Sequence, residues 1–191
     1  LDCRYNRFHG LTGDEHIDLG GDAYIASNRF ERGRKDEWTS DTGYANAISS
    51  GDRGSGTTIM VARNVFTELD HAINLKARTG TIFEHNTAAG FFPDYQYVSG
   101  PPYNINQAVK NSVVNVFIPE DGPAPTVGDG AYLGYNLISE VPRLVSGADH
   151  SSAGLGAVTT KLEFFHNLVD QISDTSIGVN HPGGIFAPTW G

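Results

Sequence analysis

The sequence predicts an all-β protein with the fold of a parallel β-helix, and two observations lead to this prediction. A short phrase centred on asparagine recurs along the chain, and segments rich in β-branched and aromatic residues precede several of its copies. The copies are "YNRF" at Asn6, "SNRF" at Asn28, "RNVF" at Asn64, "HNTA" at Asn86, "VNVF" at Asn115, "YNLI" at Asn136 and "HNLV" at Asn167. Three of the intervals between these asparagines are close to 22 residues, and the longer intervals are those expected when loops are inserted into a fixed repeat.

Each repeat contains short segments with the period-2 alternation of strands. The segments before an asparagine are "YIASN" (24–28), "IMVARN" (59–64) and "TIFEHN" (81–86), and a second set is "HIDLGG" (16–21), "NAISSG" (46–51) and "HAINLKAR" (71–78). Two or three short strands per repeat are typical of a β-helix, whereas an immunoglobulin-like sandwich is the alternative for short, evenly spaced strands. The fixed position of the asparagine favours the β-helix. We expect one domain over 1–191 with seven or eight rungs, interrupted by insertions near 31–45 and 91–112.

The recurrent asparagine is expected to be structural. Equivalent positions of successive rungs lie about 4.8 Å apart. An amide side chain at a turn can donate to one rung and accept from the other, and so pair backbone groups that the bend leaves open. The phenylalanines two places later, Phe8, Phe30 and Phe66, are expected to form an interior aromatic column.

Composition limits the possible partners. The chain carries 13 Lys and Arg against 22 Asp and Glu, a formal net charge of -9, which disfavours nucleic acids and anionic membranes. No apolar run approaches the roughly 20 residues of a membrane span. Cys3 is the one cysteine, so neither an internal disulfide nor a cysteine-based metal cluster can form. The first and last residues do not read as caps, and we expect other domains of a longer chain, or neighbours in an assembly, at the ends.

The phrase "N-x-F … D-H-A-I-N-L-K … I-F-E-H-N-T" resembles the rungs of the pectin-lyase-like superfamily of right-handed parallel β-helices. It also resembles β-helix regions of large secreted bacterial proteins. The resemblance covers roughly 1–90 well and 131–170 loosely. It implies a right-handed helix, a secreted or cell-surface location and a polysaccharide as partner.

A polar stripe is predicted along one face of the helix. If Ile17, Ile48 and Ile73 point into the core, alternation directs the residues between them outward. This stripe comprises His16, Asp18, Ser49, Asn74, Lys76 and Arg78, of which His16, Asp18 and Asn74 are candidates for substrate binding.

The stretch "NLKARTGTIFEHNT" is similar to the lysine-bearing rung of the alginate lyase and chondroitinase B family. The resemblance implies that Lys76 is the base of a β-elimination. Arg78, two places later and therefore on the same face of the strand, is the second catalytic candidate. Such a reaction needs a base, a group that neutralises the uronate carboxylate and an acid for the leaving oxygen. The alternative is that Lys76 and Arg78 are solvated residues of a strand.

Two further sets of residues are candidates for binding. Asp14 and Asp18 lie in the acidic stretch "GDEHIDLGGD", where converging carboxylates could hold Ca²⁺ as a cofactor; the alternative is a solvated acidic turn. The insertions carry the aromatic residues Trp38, Tyr44, Tyr95 and Tyr97, and exposed rings suit the apolar faces of sugars. The alternative is that these loops pack on the helix and cover its strand edges.

The function expected from the sequence is an extracellular module that binds a polysaccharide and cleaves it by β-elimination. A non-catalytic structural or adhesive β-helix of a large surface protein is the alternative, because one fold hosts many functions.

Overall fold

The computed structural model describes residues 1–11, 15–34, 45–50, 57–76, 79–98, 106–118, 130–149, 161–173 and 178–179. These residues form twenty short strands. The strands are β1 Asp2–Arg4, β2 Arg7–His9, β3 Glu15–Leu19, β4 Ala23–Ala26, β5 Arg29–Gly33, β6 Asn46–Ser50, β7 Thr57–Ala62, β8 Val65–Leu69, β9 His71–Lys76, β10 Thr79–Glu84, β11 Thr87–Ala89, β12 Tyr95–Val98, β13 Asn106–Val109, β14 Ser112–Ile118, β15 Gly130–Gly134, β16 Leu137–Val141, β17 Val145–Asp149, β18 Lys161–Phe165, β19 Leu168–Ile172 and β20 Gly178–Val179.

Eighteen of these strands form three parallel sheets of six strands each, and the chain is a right-handed parallel β-helix. The first sheet has the order β1-β4-β7-β10-β15-β18, the second β2-β5-β8-β11-β16-β19 and the third β3-β6-β9-β14-β17-β20. Each turn of the chain adds one strand to each sheet, so the described strands make six rungs. The predicted fold is confirmed, but the expected count of seven or eight rungs is too high. The reason is that Asn115 lies inside β14 of the third sheet and not at a turn.

The other six asparagines form a continuous ladder at the corner between the first and second sheets, here called the asparagine ladder. Its members are Asn6, Asn28, Asn64, Asn86, Asn136 and Asn167. The backbone N–H of Asn28 donates to Oδ1 of Asn64 at 2.9 Å, and that of Asn64 donates to Oδ1 of Asn86 at 2.8 Å. Each amide nitrogen from Asn28 on also donates to a carbonyl one rung back, as Nδ2 of Asn64 does to Ile25 at 2.9 Å. The predicted structural role is confirmed.

Left-handed backbone recurs at two fixed places in every rung. Just before the ladder asparagine stand Tyr5, Ser27, Arg63, His85, Tyr135 and His166, with φ between 51° and 60°. Near the end of each second-sheet strand stand Gly10, Arg32, Glu68, Gly90, Glu140 and Gln171, also with positive φ. Side chains other than glycine adopt this conformation at a cost of about 1–2 kcal/mol, which the surrounding hydrogen bonds must offset. The two places set the sharp corners that close the rung.

The core contains the expected aromatic column. The rings of Phe8 and Phe30 stack with centroids 4.7 Å apart, and those of Phe30 and Phe66 lie 5.1 Å apart. The next residue of this column is Ala88, and Phe83 of the first sheet packs on Phe66 there at 5.5 Å. A small residue in one strand is thus compensated by a large one in the neighbouring sheet.

The insertion predicted near 91–112 contains an antiparallel hairpin made by β12 and β13. Its base is tied to the helix by Asp94, which accepts two hydrogen bonds from the buried guanidinium of Arg143 at 2.6 and 2.7 Å. Nζ of Lys110 and the backbone N–H of Asn111 also donate to Asp94, at 3.1 and 3.0 Å.

Within the described parts of the chain, no helix has the length and hydropathy of a membrane span.

Candidate functional site

The stripe predicted to face solvent on the third sheet is a register column that includes Asp18, Ser49, Asn74, Asn115 and Ser146. Asp18, at the first rung, is exposed. Asn74 is only 3% exposed, and Ser49 is fully buried. The prediction that Asn74 and Ser49 face solvent is therefore wrong.

The buried members of this column are hydrogen-bonded to one another across successive rungs. Nδ2 of Asn74 donates to Oγ of Ser49 at 3.3 Å, and Nδ2 of Asn115 donates to Oδ1 of Asn74 at 3.0 Å. Oγ of Ser146 donates to Oδ1 of Asn115 at 2.9 Å. Buried amides need such partners, so the column holds the rungs in register.

His16 was also expected to face outward, and this prediction is wrong as well. Its ring lies with its centroid 6.0 Å from the rings of both Phe8 and Phe30. Both ring nitrogens are buried and have no hydrogen-bond partner among the described residues. Burial, helped by the nearby His9, lowers the pKa of His16 to about 4, so the side chain is neutral at pH 7 and packs beside the core.

The candidate catalytic residues lie at the end of the same sheet. Lys76 is the last residue of β9, and its register partner in the next rung is Phe117. The side chain of Lys76 and the whole of Arg78 lie outside the described residues, as do Asp14, Trp38, Tyr44 and the side chain of Tyr97. The roles predicted for them stay predictions.

Tyr95, predicted to line a glycan cleft, is engaged within the protein. Its hydroxyl donates to Oδ2 of the buried Asp70 at 2.7 Å, and the guanidinium carbon of Arg34 lies 4.3 Å from the centre of its ring. These contacts join the base of the hairpin to the corner between the second and third sheets. They match the alternative interpretation, in which the insertion packs on the helix.

A serine–histidine pair lies in the interior. Nδ1 of His71 lies 3.1 Å from Oγ of Ser112, and that oxygen lies 2.7 Å from Oγ of Ser146. All three residues are fully buried. Burial lowers the pKa of His71 to about 3, which makes the imidazole a weak base at neutral pH, and no substrate can reach a hydroxyl enclosed in this way. The pair is part of the hydrogen-bonded interior.

An exposed cluster of rings, here called the aromatic patch, lies on the last rungs at the corner between the first and second sheets. It consists of His85, Tyr132, Tyr135, Phe165 and His166. The Tyr135 ring stacks between those of His85 and His166, with centroids at 5.2 and 5.4 Å. The ring of Phe165 stands edge-on to that of Tyr135 at 6.1 Å and to that of His166 at 3.9 Å. Tyr135 and Phe165 are each 48% exposed.

The backbone fixes the positions of these rings. His85, Tyr135 and His166 occupy the left-handed position before three successive members of the asparagine ladder, so their side chains project from the same corner one rung apart. The Tyr132 ring lies over Gly134, where an added Cβ would come within 2.6 Å of it. A side chain at Gly134 would therefore displace that ring.

Carboxylates flank the aromatic patch. Glu163 is the register partner of Tyr132 in the next rung, and Oε1 of Glu84 lies 3.9 Å from Nδ1 of His85. The pKa of the Tyr132 hydroxyl is raised, first by partial burial and then by Tyr135 and the two carboxylates. The patch therefore presents apolar ring faces beside hydrogen-bond acceptors and a neutral phenol.

The sequence did not lead us to predict the aromatic patch, because we assigned the recurrent asparagine-centred phrases a structural role only. A signal was present: the residue before the ladder asparagine is an aromatic or imidazole side chain in "HNTA", "YNLI" and "HNLV". Three such residues one rung apart must stack if the ladder is regular.

Among the described residues, no three His, Cys, Asp or Glu side chains come close enough to hold a metal ion. In comparisons with known proteins, no family model, no curated protein and no solved structure matches this chain.

Proposed function

We propose that this chain is an extracellular β-helix module of the pectin-lyase-like kind that binds a polysaccharide on the aromatic patch. The observation that supports the proposal is the exposed edge-to-face pair of Tyr135 and Phe165, held at the corner where β15 and β18 end. Exposed rings bind the apolar faces of sugar rings. Rigid presentation reduces the conformational entropy lost on binding.

The charges around the patch favour a neutral polymer. Glu84 and Glu163 flank the rings, and the whole chain carries a formal net charge of -9. These charges repel a polyuronate, whereas carboxylates accept hydrogen bonds from the hydroxyl groups of neutral sugars. We therefore expect neutral glycans to bind more tightly than uronate polymers.

Affinity electrophoresis through gels that contain individual neutral or uronate polysaccharides tests the proposal. Tyr135→Ala is expected to weaken binding of the retained polymer at least fivefold, which corresponds to about 1 kcal/mol. Tyr5→Ala is the matched control, because Tyr5 is 82% exposed and occupies the same left-handed position in the first rung, remote from the patch. Its variant should bind as the wild-type protein does.

A non-catalytic scaffold is the second candidate, and the burial of the third-sheet column favours it over a lyase. Asn74 is tied to its neighbours in the stack and is not available to a substrate. Absence of binding to every polymer would leave the scaffold as the function. Release of an unsaturated product from a uronate polymer, lost in Lys76→Ala, would instead support β-elimination.

A further inference from the structure

The charge of the second sheet changes along the helix. Strands β2 and β5 contain three arginines, Arg7, Arg29 and Arg32, against one carboxylate, Glu31. Strands β16 and β19 contain two carboxylates and neither lysine nor arginine. In a chain with a formal net charge of -9, the region of β2 and β5 is therefore a place where an anion is attracted and not repelled.

Arg7 and Arg29, here called the arginine pair, are held by one carboxylate. The two residues are register partners in successive rungs, and Glu31 lies two places after Arg29, on the same face of the strand. Nε of Arg7 donates to Oε1 of Glu31 at 2.5 Å, and its Nη2 contacts the same oxygen. Nε of Arg29 donates to Oε2. Each oxygen of the carboxylate thus holds one guanidinium group.

The carboxylate is covered, while the two guanidinium groups meet solvent. The side chain of Glu31 is 7% exposed, and those of Arg7 and Arg29 are 67% and 57% exposed. The hydrogen bond from Arg29, together with that from Arg7, lowers the pKa of Glu31, so the carboxylate is charged at neutral pH. Two guanidinium groups and one carboxylate leave a net positive charge at the surface.

Most of the N–H groups of the arginine pair remain available. A guanidinium group has five N–H donors. Among the described residues, Arg7 uses N–H groups of Nε and Nη2, and Arg29 uses that of Nε. The two columns continue in β8 with Val65 and Thr67, which bring no competing charge. The other donors of the pair can therefore bind an acceptor from outside the chain.

We propose that the arginine pair binds a sulfate or phosphate monoester group on an otherwise neutral molecule. Such a group has three terminal oxygens, so it can accept hydrogen bonds from two guanidinium groups whose strands lie about 4.8 Å apart. A carboxylate has two oxygens, which match a single guanidinium group. Because Glu31 already holds both arginines, little conformational freedom is lost on binding.

The charge of the remaining surface explains why the molecule is otherwise neutral. A nucleic acid or an anionic membrane carries negative charge along its whole length, and most of it would face the acidic part of this chain. A single ester group meets the arginine pair alone.

Isothermal titration calorimetry at low ionic strength tests the proposal with dextrans of one length that are unmodified, sparsely sulfated or sparsely phosphorylated. The quantity compared is the gain in affinity that the ester provides over unmodified dextran. The wild-type protein should show a gain of at least about tenfold, and the larger gain identifies the group. Carboxymethyl dextran of the same charge density should show a smaller gain. The proposal is overturned if neither ester gives a gain, or if the carboxylate gives an equal one.

Variants of Arg29 separate the arginine pair from the attraction of net charge. Arg29→Gln removes one guanidinium group and should reduce the gain at least about fivefold. Arg29→Lys keeps the charge, and with it an ion pair to Glu31, but lacks the planar set of donors. It should reduce the gain at least about threefold.

Arg63→Gln and Arg63→Lys are the matched controls. Arg63 is exposed in the next rung, and its Nη2 donates to the hydroxyl of Tyr24 on the first sheet at 2.5 Å. These variants change the total charge in the same way and should keep the gain within about twofold. Equal losses at Arg29 and Arg63 would show attraction by net charge alone, and no site at the arginine pair.

The proposal does not depend on glycan binding by the aromatic patch, which lies on the fourth to sixth described rungs. Tyr135→Ala should leave the gain from the ester unchanged. Arg29→Gln should leave the binding of unmodified polymers unchanged. Each proposal can therefore fail while the other holds.

Discussion

Replacing Asn64 with alanine tests the physical role of the asparagine ladder. Oδ1 of Asn64 accepts the backbone N–H of Asn28 at 2.9 Å, and its Nδ2 donates to the carbonyl oxygen of Ile25 at 2.9 Å. All three residues are buried. Truncation at Cβ therefore leaves the N–H of Asn28 without an acceptor and removes a donor from Ile25.

The expected loss of unfolding free energy follows from the two groups left unpaired, the N–H of Asn28 and the carbonyl of Ile25. An unpaired buried donor or acceptor costs about 1–3 kcal/mol, and one water molecule entering the space could restore part of the loss. We expect Asn64→Ala to lower the free energy of unfolding by about 2–4 kcal/mol. Urea denaturation measures this as a lower midpoint with an unchanged slope.

Asn6→Ala is the control for this prediction. Asn6 is exposed at the first rung, and its Oδ1 accepts no hydrogen bond from the described residues. Its removal should cost under about 1 kcal/mol, as other surface substitutions do. Equal losses for Asn6→Ala and Asn64→Ala would show that the amides do not stabilise the fold through buried hydrogen bonds.

Two further predictions concern charge. Asp94→Asn removes the carboxylate that neutralises the buried Arg143 and should lower the free energy of unfolding by about 3–5 kcal/mol. Asp2→Asn breaks the exposed pair with Arg4 and should leave the midpoint of the same urea experiment nearly unchanged. His16, with its pKa lowered to about 4 in the folded chain from an ordinary 6.5, binds more protons when unfolded. Its contribution to stability is therefore complete above pH 6.5 and falls as the pH drops from 6.5 to 4. His16→Leu should lose less stability than the wild-type protein between pH 7 and pH 5, and an unchanged loss would contradict the assigned burial.

The fold could be predicted because the ladder leaves a strong signal in the sequence. Asn115 was wrongly predicted to be one of the ladder asparagines, and the residue before it in the sequence gives the physical reason why it is not. Every true ladder asparagine follows a left-handed residue, and a β-branched side chain strongly disfavours that conformation. Val114 precedes Asn115, so this copy of the phrase belongs in a strand.

The exposure of the third-sheet stripe could not be predicted in the same way. Alternation placed Asn74 on the face opposite Ile73, but whether that face meets solvent depends on segments distant in the sequence. The residues beside Asn74 on this face do offer a hint. Ala47, Ser49 and Ala72 are small or uncharged, and a face intended for water usually carries charges.

The corner occupied by the ladder has a consequence for how such a chain can change length. Two residues, one with left-handed backbone and then an asparagine, connect the first and second sheets in all six described rungs. The spacing between ladder asparagines nevertheless varies from 22 to 50 residues. All extra residues therefore enter away from that corner. Foreign segments grafted between the second and first sheets should leave the pitch unaltered, whereas one residue added at the corner should interrupt it.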